Sequence, residues 1–138
     1  MKSIREIQEE LIEEFNIFDD WEEKYQHIID LGKGLPIIDK KYKTDENLIK
    51  GCQSRVWLHA TEKNNHVIYT ADSDAIMTKG IIAILIRVLS NQNAAEIAMA
   101  NLTFIDKVKL KEQLSPVRAN GLLSMIKEMK LYALALNK

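Results

Sequence analysis

Residues 55–75 of the chain read RVWLHATEKNNHVIYTADSDA. Two stretches of this segment, residues 55–62 and 66–71, are rich in the β-branched and aromatic residues that favour strands. Asn64-Asn65 lies between them and is a typical sequence for a tight turn. The segment therefore predicts two antiparallel strands joined as a hairpin.

The hairpin leads directly into an apolar stretch of the chain. Asp72, Ser73 and Asp74 belong to the residue types that cap the first turn of a helix. We expect them to cap a helix that runs from Ala75 to Ser90. Isoleucine, leucine and valine recur around most of its circumference, which is typical of a helix buried against a sheet or between other helices.

Two helices are predicted before the hairpin. Ser3 and Glu6 have the spacing of a capping box, and apolar residues share one face of the helix Ile4–Phe15 that follows. A second helix is expected to begin near Asp20 and to end at Gly32, because glycine is common at helix ends.

Shorter elements complete the predicted fold. Residues 47–49 are expected to form a short extended segment, and residues 93–96 to open a short helix. Another short helix is expected between Ile105 and Leu114. The last helix is predicted to begin at Ser115, with Pro116 at the first position, where proline is tolerated. This order of elements predicts an α+β fold, a small antiparallel β-sheet of about three strands packed against several helices.

Composition restricts the class of protein. A chain of 138 residues has the size of one domain, residues 1–138. The formal net charge of −1 argues against nonspecific nucleic-acid binding, which needs a basic surface. The longest apolar stretch, residues 81–86, is too short to cross a bilayer, and the N-terminus has no apolar signal core. A single cysteine fits a reducing compartment, so we expect a cytoplasmic protein without nucleic-acid or membrane partners.

The cysteine lies in Gly51-Cys52-Gln53-Ser54-Arg55, between the predicted extended segment and the first strand. A lone cysteine is most often a small buried hydrophobe. Here Gly51 allows a sharp turn, and the three polar residues after Cys52 favour a loop near the surface. We therefore expect a thiol that another protein's thiol can reach.

Three cations are candidates for activating this thiol. Lys50, Arg55 or Arg118 are each expected to favour the thiolate and so to lower the pKa of Cys52. Arg118 falls in the first turn of the last helix, where a positive charge opposes the helix dipole. We therefore expect Arg118 to form an ion pair with Asp74 or to contact a partner.

Other kinds of function remain open for a lone cysteine. A Cys–His pair would make a thiol hydrolase, with His27, His59 or His66 as the base, although His59 lies roughly 20 Å along a strand from Cys52. A non-catalytic regulatory or interaction module would need no covalent chemistry. One cysteine and three scattered histidines do not have the spacing of a metal site, so no metal is expected.

Three sequence blocks resemble the SufE family of sulfur acceptors. They are ENLIKGCQSRVWL at residues 46–58, DSDAI with a following KG at residues 72–80, and LSPVRANGL at residues 114–122. Their order and spacing agree with the family over essentially the whole chain. One departure is Lys50, because many members have proline before the glycine. The resemblance implies a SufE/NifU-like fold.

The resemblance also implies a function. Cys52 would accept sulfur as a persulfide from a pyridoxal-phosphate cysteine desulfurase, and the chain would stimulate that enzyme. The sulfur would then pass to an iron–sulfur scaffold complex, and the chain itself would bind no cofactor. A homodimer is compatible with the sequence. The residues expected to dock the partner or activate the thiol are Gly51, Gln53, Ser54, Arg55, Asp74 and Arg118.

Overall fold

The predicted hairpin organises the fold. A computed structural model describes residues 2–137. Strands β1 (Val56–Lys63) and β2 (His66–Ser73) pair antiparallel along their whole lengths. Asn64 and Asn65 join them with φ values of 53° and 68°, the left-handed conformation that a two-residue type I′ turn requires. The hairpin prediction is confirmed.

The third strand is not where the sequence suggested. Strand β3 (Gln92–Asn93) pairs antiparallel with β2, which gives the order β1-β2-β3. The predicted extended segment, residues 47–49, contributes only an isolated bridge between Leu48 and Trp57. The antiparallel three-stranded sheet is therefore confirmed, but its third strand follows the apolar helix instead of preceding the hairpin.

Helices cover the sheet. Within residues 2–137 the seven α-helices are α1 (Ile4–Asn16), α2 (Trp21–Gly32), α3 (Ile76–Leu89), α4 (Ala94–Met99), α5 (Phe104–Lys107), α6 (Leu110–Gln113) and α7 (Pro116–Leu136). In this part of the chain, no helix is long and apolar enough to cross a membrane.

The first two helices begin as predicted. The Ser3 side chain accepts a hydrogen bond from the Glu6 N–H, and the Glu6 carboxylate accepts one from the Ser3 N–H, each at 3.1 Å. Asp20 caps α2 by accepting the Glu23 N–H at 2.8 Å. These bonds satisfy N–H groups that a helix start leaves without a partner.

The cap predicted for α3 is wrong. β2 continues to Ser73, and α3 follows Ala75 without a side-chain cap. Asp74 accepts the N–H of Arg55 at 3.1 Å, and Ser73 accepts the N–H of Ala75 at 3.3 Å. The same residue types that cap helices here bind N–H groups at a strand end and in a loop.

Helix α3 is buried on most sides, as its composition predicted. It crosses α2 where Gly32 and Gly80 meet. A Cβ atom on Gly80 would lie 2.7 Å from the carbonyl carbon of Ile28, and one on Gly32 would lie 2.9 Å from the N atom of Gly80. Glycine is therefore needed at both positions for this close approach. Ile76, at the start of α3, is 68% exposed and does not join the core.

The C-terminal third contains more and shorter helices than expected. Two short helices, α5 and α6, replace the single one predicted between Ile105 and Leu114, because Lys109 adopts a left-handed φ of 59° between them. Helix α7 begins as predicted: Ser115 accepts the N–H of Arg118, and Pro116 occupies the first position. Helix α4 begins after Asn93, which caps it.

Candidate functional site

The loop that carries Cys52 is a closed turn at the start of β1. Its base is fixed by a hydrogen bond from the N–H of Ile49 to the carbonyl of Val56 at 2.8 Å. Gly51 has a φ of +91°, a conformation that residues with a side chain rarely adopt. A Cβ atom there would also overlap the side chain of Ser124 on α7. The expectation that Gly51 permits a sharp turn is confirmed.

The thiol of Cys52 points from this loop towards α7. Its Sγ atom lies 3.6 Å from the carbonyl oxygen of Gly121, a distance suited to a weak S–H donor. The side chain is half-buried. This burial raises the pKa of Cys52 above its ordinary value, because removal of water disfavours the charged thiolate. The free protein therefore holds the sulfur mostly as a thiol at neutral pH.

The expectation that nearby cations lower the pKa of Cys52 is wrong for this conformation. Lys50, Arg55 and Arg118 are all exposed, and desolvation is the cause that determines the shift. Charges in water are screened, whereas the sulfur has already lost part of its hydration.

Cys52 opens into a cavity of about 270 Å³ between its own loop, α3 and the first half of α7. The loop contributes one wall and the two helices contribute the rest. The residues that line the cavity are Cys52, Gln53, Ser54, Thr78, Ile81, Ser115, Val117, Arg118, Gly121 and Met125. The site therefore combines a thiol, several hydroxyl and amide groups, one guanidinium and an apolar floor.

The structure brings together only some of the predicted site residues. Gln53, Ser54 and Arg118 line the cavity with Cys52, whereas Gly51, Arg55 and Asp74 do not. Within residues 2–137 no ion pair joins Arg118 to Asp74. That predicted ion pair is absent, which leaves Arg118 free to face the cavity.

Arg55 and Asp74 instead hold the end of the cysteine loop. The N–H of Arg55 donates to Asp74 Oδ1 at 3.1 Å, and the Ser73 hydroxyl donates to the Arg55 carbonyl at 2.8 Å. The carbonyl also accepts the N–H of Asp74 at 3.3 Å. These bonds join the chain just after Cys52 to the end of β2, so Asp74 is a positioning residue.

The other end of the loop is held by α7. The Asn47 side-chain amide donates to the Tyr42 carbonyl at 2.6 Å. The Tyr132 hydroxyl lies 3.4 Å from both Asn47 Oδ1 and the Leu58 carbonyl oxygen. The loop is thus tied to β2 after Cys52 and to α7 before it.

Several cavity residues were not singled out from the sequence. They are Thr78 and Ile81 on α3, and Ser115, Val117, Gly121 and Met125 on or before α7. Gly121 carried a local signal, since glycine inside a helix is unfavourable by about 1 kcal/mol relative to alanine. A Cβ atom there would lie 3.5 Å from Cys52 Sγ. The glycine therefore keeps space open beside the sulfur.

The three histidines lie away from the thiol cavity. The ring of His27 is hydrogen-bonded to Glu14 at 2.7 Å, and that of His59 stacks on Tyr42 with ring centroids 3.6 Å apart. Neither these nor His66 line the cavity, so a Cys–His pair has no support. In the described part of the chain, no group of three or more His, Cys, Asp or Glu side chains is placed to hold a metal ion.

Comparison with known proteins agrees with this architecture. The family model of SufE, described as the Fe-S metabolism associated domain, matches residues 9–133. An uncharacterized SufE-like protein of Rhizobium meliloti (strain 1021) is 39% identical over 127 residues, which covers 88% of this chain and 91% of that protein. An uncharacterized SufE-like protein of Rhizobium etli is 38% identical over 127 residues, covering 88% of this chain and 86% of that protein.

Two further similarities extend the range of relatives. SufE-like protein 1, chloroplastic/mitochondrial, of Arabidopsis thaliana is 38% identical over 129 residues, which covers 93% of this chain but 35% of that longer protein. The solution structure of a hypothetical protein from Thermus thermophilus superposes with a TM-score of 0.78 at 16% identity, over 94% of both chains. The second similarity supports the α+β fold alone.

Proposed function

The chain belongs to the SufE family, and on that premise we propose that it accepts sulfur as a persulfide on Cys52 from a cysteine desulfurase. The family relates the chain to iron–sulfur metabolism. One observation carries the finer proposal: the chain's single cysteine lies at the edge of the core, where it is only half-buried and lines a cavity of about 270 Å³. A cysteine with a purely structural role would be expected to have no such cavity beside it.

The proposed transfer is an exchange between sulfur atoms. The Cys52 thiolate attacks the outer sulfur of the desulfurase persulfide, and the desulfurase cysteine leaves as a thiolate. One S–S bond breaks and one forms, and the proton lost by Cys52 balances the charge of the leaving thiolate. The step needs no net oxidant, so the chain needs no cofactor of its own. Pyridoxal phosphate would belong to the desulfurase.

The Cys52 thiol must be deprotonated and exposed before it can react. Burial keeps Cys52 protonated, and the contact with the Gly121 carbonyl holds Sγ inward. An incoming sulfur must come within roughly 3–3.5 Å of Sγ to react. We propose that partner docking moves the loop outward and exposes the sulfur to a more polar environment. Gln53 and Arg118, both exposed at the rim, are the side chains that a docked protein meets first.

After transfer, the cavity gives the product shelter. A persulfide adds one sulfur about 2.05 Å beyond Sγ. The volume of one added sulfur atom is small compared with the cavity volume of about 270 Å³. The loop that carries the persulfide can therefore fold back without displacing the core. Enclosure by Gly121 and Met125 would slow attack by cellular thiols. We propose that an iron–sulfur scaffold complex then receives the sulfur when it docks in turn.

The decisive experiment measures the mass of the intact chain after incubation with a cysteine desulfurase and cysteine. We expect an increase of one sulfur atom that maps to Cys52 and is lost on reduction. Cys52→Ser is the matched control, because it keeps the fold and replaces only the sulfur. No adduct on the wild-type chain would overturn the proposal.

A second readout separates the carrier from a non-covalent interaction module. Stimulation of the desulfurase is followed as alanine release, with wild type and with Cys52→Ser. A carrier loses stimulation in the variant, because no acceptor thiol remains to clear the enzyme's persulfide. A module that only binds the desulfurase would keep full stimulation.

The cellular setting is part of the proposal. A reducing compartment suits an unpaired persulfide carrier, and we propose the cytoplasm for this chain. Imaging of a tagged chain would test that location. Oligomeric state, for which a homodimer stays a prediction, is measured by sedimentation.

A further inference from the structure

The cavity beside Cys52 has a net positive charge. Arg118 is the one charged side chain among the residues that line it, and no carboxylate lines it. Within residues 2–137 the Arg118 guanidinium forms no ion pair. A thiol therefore lies in the same small cavity as an uncompensated cation.

The start of α7 adds to this positive potential. Pro116 has no N–H, and Ser115 accepts the N–H groups of Arg118 and Ala119 at 3.3 and 2.8 Å. In the described residues this leaves the N–H of Val117, a cavity-lining residue, as the free donor of the first turn. A helix of 21 residues directs a partial positive charge to that end. Arg118 therefore strengthens a potential that the helix already has.

Thr78 supplies a third and independent indication of a ligand. Thr78 lines the cavity from α3 and is only 7% exposed. Its hydroxyl makes no hydrogen bond to another residue between 2 and 137. The hydroxyl oxygen is nevertheless not one of the fully buried atoms without a partner, so it keeps some accessible surface. Because Thr78 borders this cavity, we place that accessible oxygen at the cavity surface. A nearly buried hydroxyl without a protein partner is suited to a hydrogen bond with a bound molecule.

We propose that this cavity binds a small thiol or persulfide that bears a carboxylate, the chemical class of cysteine and cysteine persulfide. The ligand sulfur would face Cys52, its carboxylate would meet Arg118 and the Val117 N–H, and Thr78 would hydrogen-bond a polar atom between them. The volume of about 270 Å³ lies just below the range of drug-sized pockets, which suits a molecule of this size.

This inference rests on the proposed carrier role of Cys52 and adds a source of sulfur that is not a protein. In the forward step the Cys52 sulfur attacks the outer sulfur of the small persulfide. The S–S bond of the small persulfide breaks, a new S–S bond forms on Cys52, and the small thiolate leaves. The proton released by Cys52 is taken up by the departing thiolate. The reverse step would discharge a loaded Cys52 to a small thiol.

The test compares the persulfides of cysteine and cysteinamide, which differ in one carboxylate. Loading of Cys52 is followed by intact mass at several concentrations of each. We expect a saturable rate for the cysteine compound. The ratio of the loading rate with cysteine persulfide to that with cysteinamide persulfide should be about ten-fold larger in wild type than in Arg118→Gln. This is the effect expected for one charge-assisted hydrogen bond. Comparing ratios between variants cancels the intrinsic reactivities of the two compounds.

Matched variants separate the cavity from general effects. Lys127→Gln removes an exposed cation from the same helix outside the cavity and should keep the wild-type ratio. Thr78→Val should weaken saturation by the cysteine compound several-fold, whereas Thr61→Val, at an exposed strand position, should not. Rates that are linear in concentration, with one ratio in wild type and Arg118→Gln, would overturn the inference.

The outcomes also distinguish this inference from the carrier role. A chain that loads from a desulfurase but does not discriminate between the two small persulfides keeps the proposed function and loses the small-molecule site. A chain that loads from neither source loses both.

Discussion

The Sγ atom of Cys52 lies 3.6 Å from the carbonyl oxygen of Gly121, 69 residues further along the chain. This contact joins the cysteine loop to the middle of a cavity wall formed by α7. A Cβ atom at position 121 would lie 3.5 Å from the same sulfur, which is ordinary van der Waals contact. Position 121 can therefore accept a methyl group without a clash, but only by using space beside the thiol.

Gly121→Ala should separate stability from sulfur loading. Alanine favours the helix by about 0.5–1 kcal/mol relative to glycine, so the free energy of unfolding should rise. The added methyl group reduces the room for a second sulfur, and persulfide formation on Cys52 should slow several-fold. Urea unfolding and intact mass measure the two effects. Asn120→Ala, at an exposed neighbouring position, should change neither loading nor cavity size; equal loading by Gly121→Ala would contradict the assigned role.

The raised pKa of the Cys52 thiol predicts a defined alkylation profile. Burial favours the neutral thiol, so iodoacetamide should react with the folded chain more slowly than with the urea-unfolded chain at pH 8. The midpoint of the folded profile should lie above about 8.5, the ordinary value. Because the folded pKa is raised, this group stabilises the fold below the unfolded pKa and loses that contribution as pH rises through the folded value. A midpoint below about 8.5 would instead indicate activation by cations.

Asp74 should control the mobility of the cysteine loop. Asp74→Ala removes the acceptor of the Arg55 N–H and should cost about 1 kcal/mol of unfolding free energy. Alkylation of Cys52 should become several-fold faster because the loop opens more often. Asp74→Asn keeps an oxygen acceptor and should restore most of the wild-type rate. If Asp74→Ala leaves alkylation unchanged, the loop is held by other contacts.

Glu14 should contribute to the way the free energy of unfolding falls at acid pH. Burial acts to raise the pKa of its carboxyl, but hydrogen bonds from Arg87 and His27, at 2.9 and 2.7 Å, outweigh that effect and lower it overall. A lowered folded pKa gives stability that is present above the unfolded value, about 4.3, and lost as pH falls through the folded value.

Glu14→Gln should therefore reduce the free energy of unfolding at pH 7 by about 1–3 kcal/mol and weaken its dependence on pH below 5. Glu13→Gln is the control, because Glu13 is adjacent in sequence and its side chain is exposed. Thermal unfolding between pH 3 and pH 7 measures both variants. Parallel pH curves for wild type and Glu14→Gln would rule out this assignment.

Elements with a local sequence signal could be predicted. Helices α1, α2 and α7 begin after Ser3, Asp20 and Ser115 as predicted, and Asn64-Asn65 forms the hairpin turn. Strand β3 could not be predicted, because a two-residue strand has no periodicity and depends on pairing with β2. Residues 72–74 were expected to cap a helix, but Ser73 and Asp74 bind the cysteine loop, since their side chains suit either role.

The site shows the same division. Cys52 and its polar neighbours could be identified from one short block of sequence. Thr78 and Gly121 come to the same cavity as the thiol only through packing of α3 and α7, so no pattern near Cys52 could predict them. The sign of the pKa shift was also beyond the sequence, because charges can be counted from residues whereas burial requires the fold.

The contact between Gly32 and Gly80 has a consequence for reading genetic variation in this chain. Gly80 lies two residues after Thr78 on the same helix, so bulk introduced at this crossing would displace one side of the sulfur site. In a saturation screen for sulfur delivery, both glycines would score as intolerant although neither touches sulfur. Such a screen therefore has to be paired with a measurement of protein abundance before distant intolerant positions are assigned to chemistry.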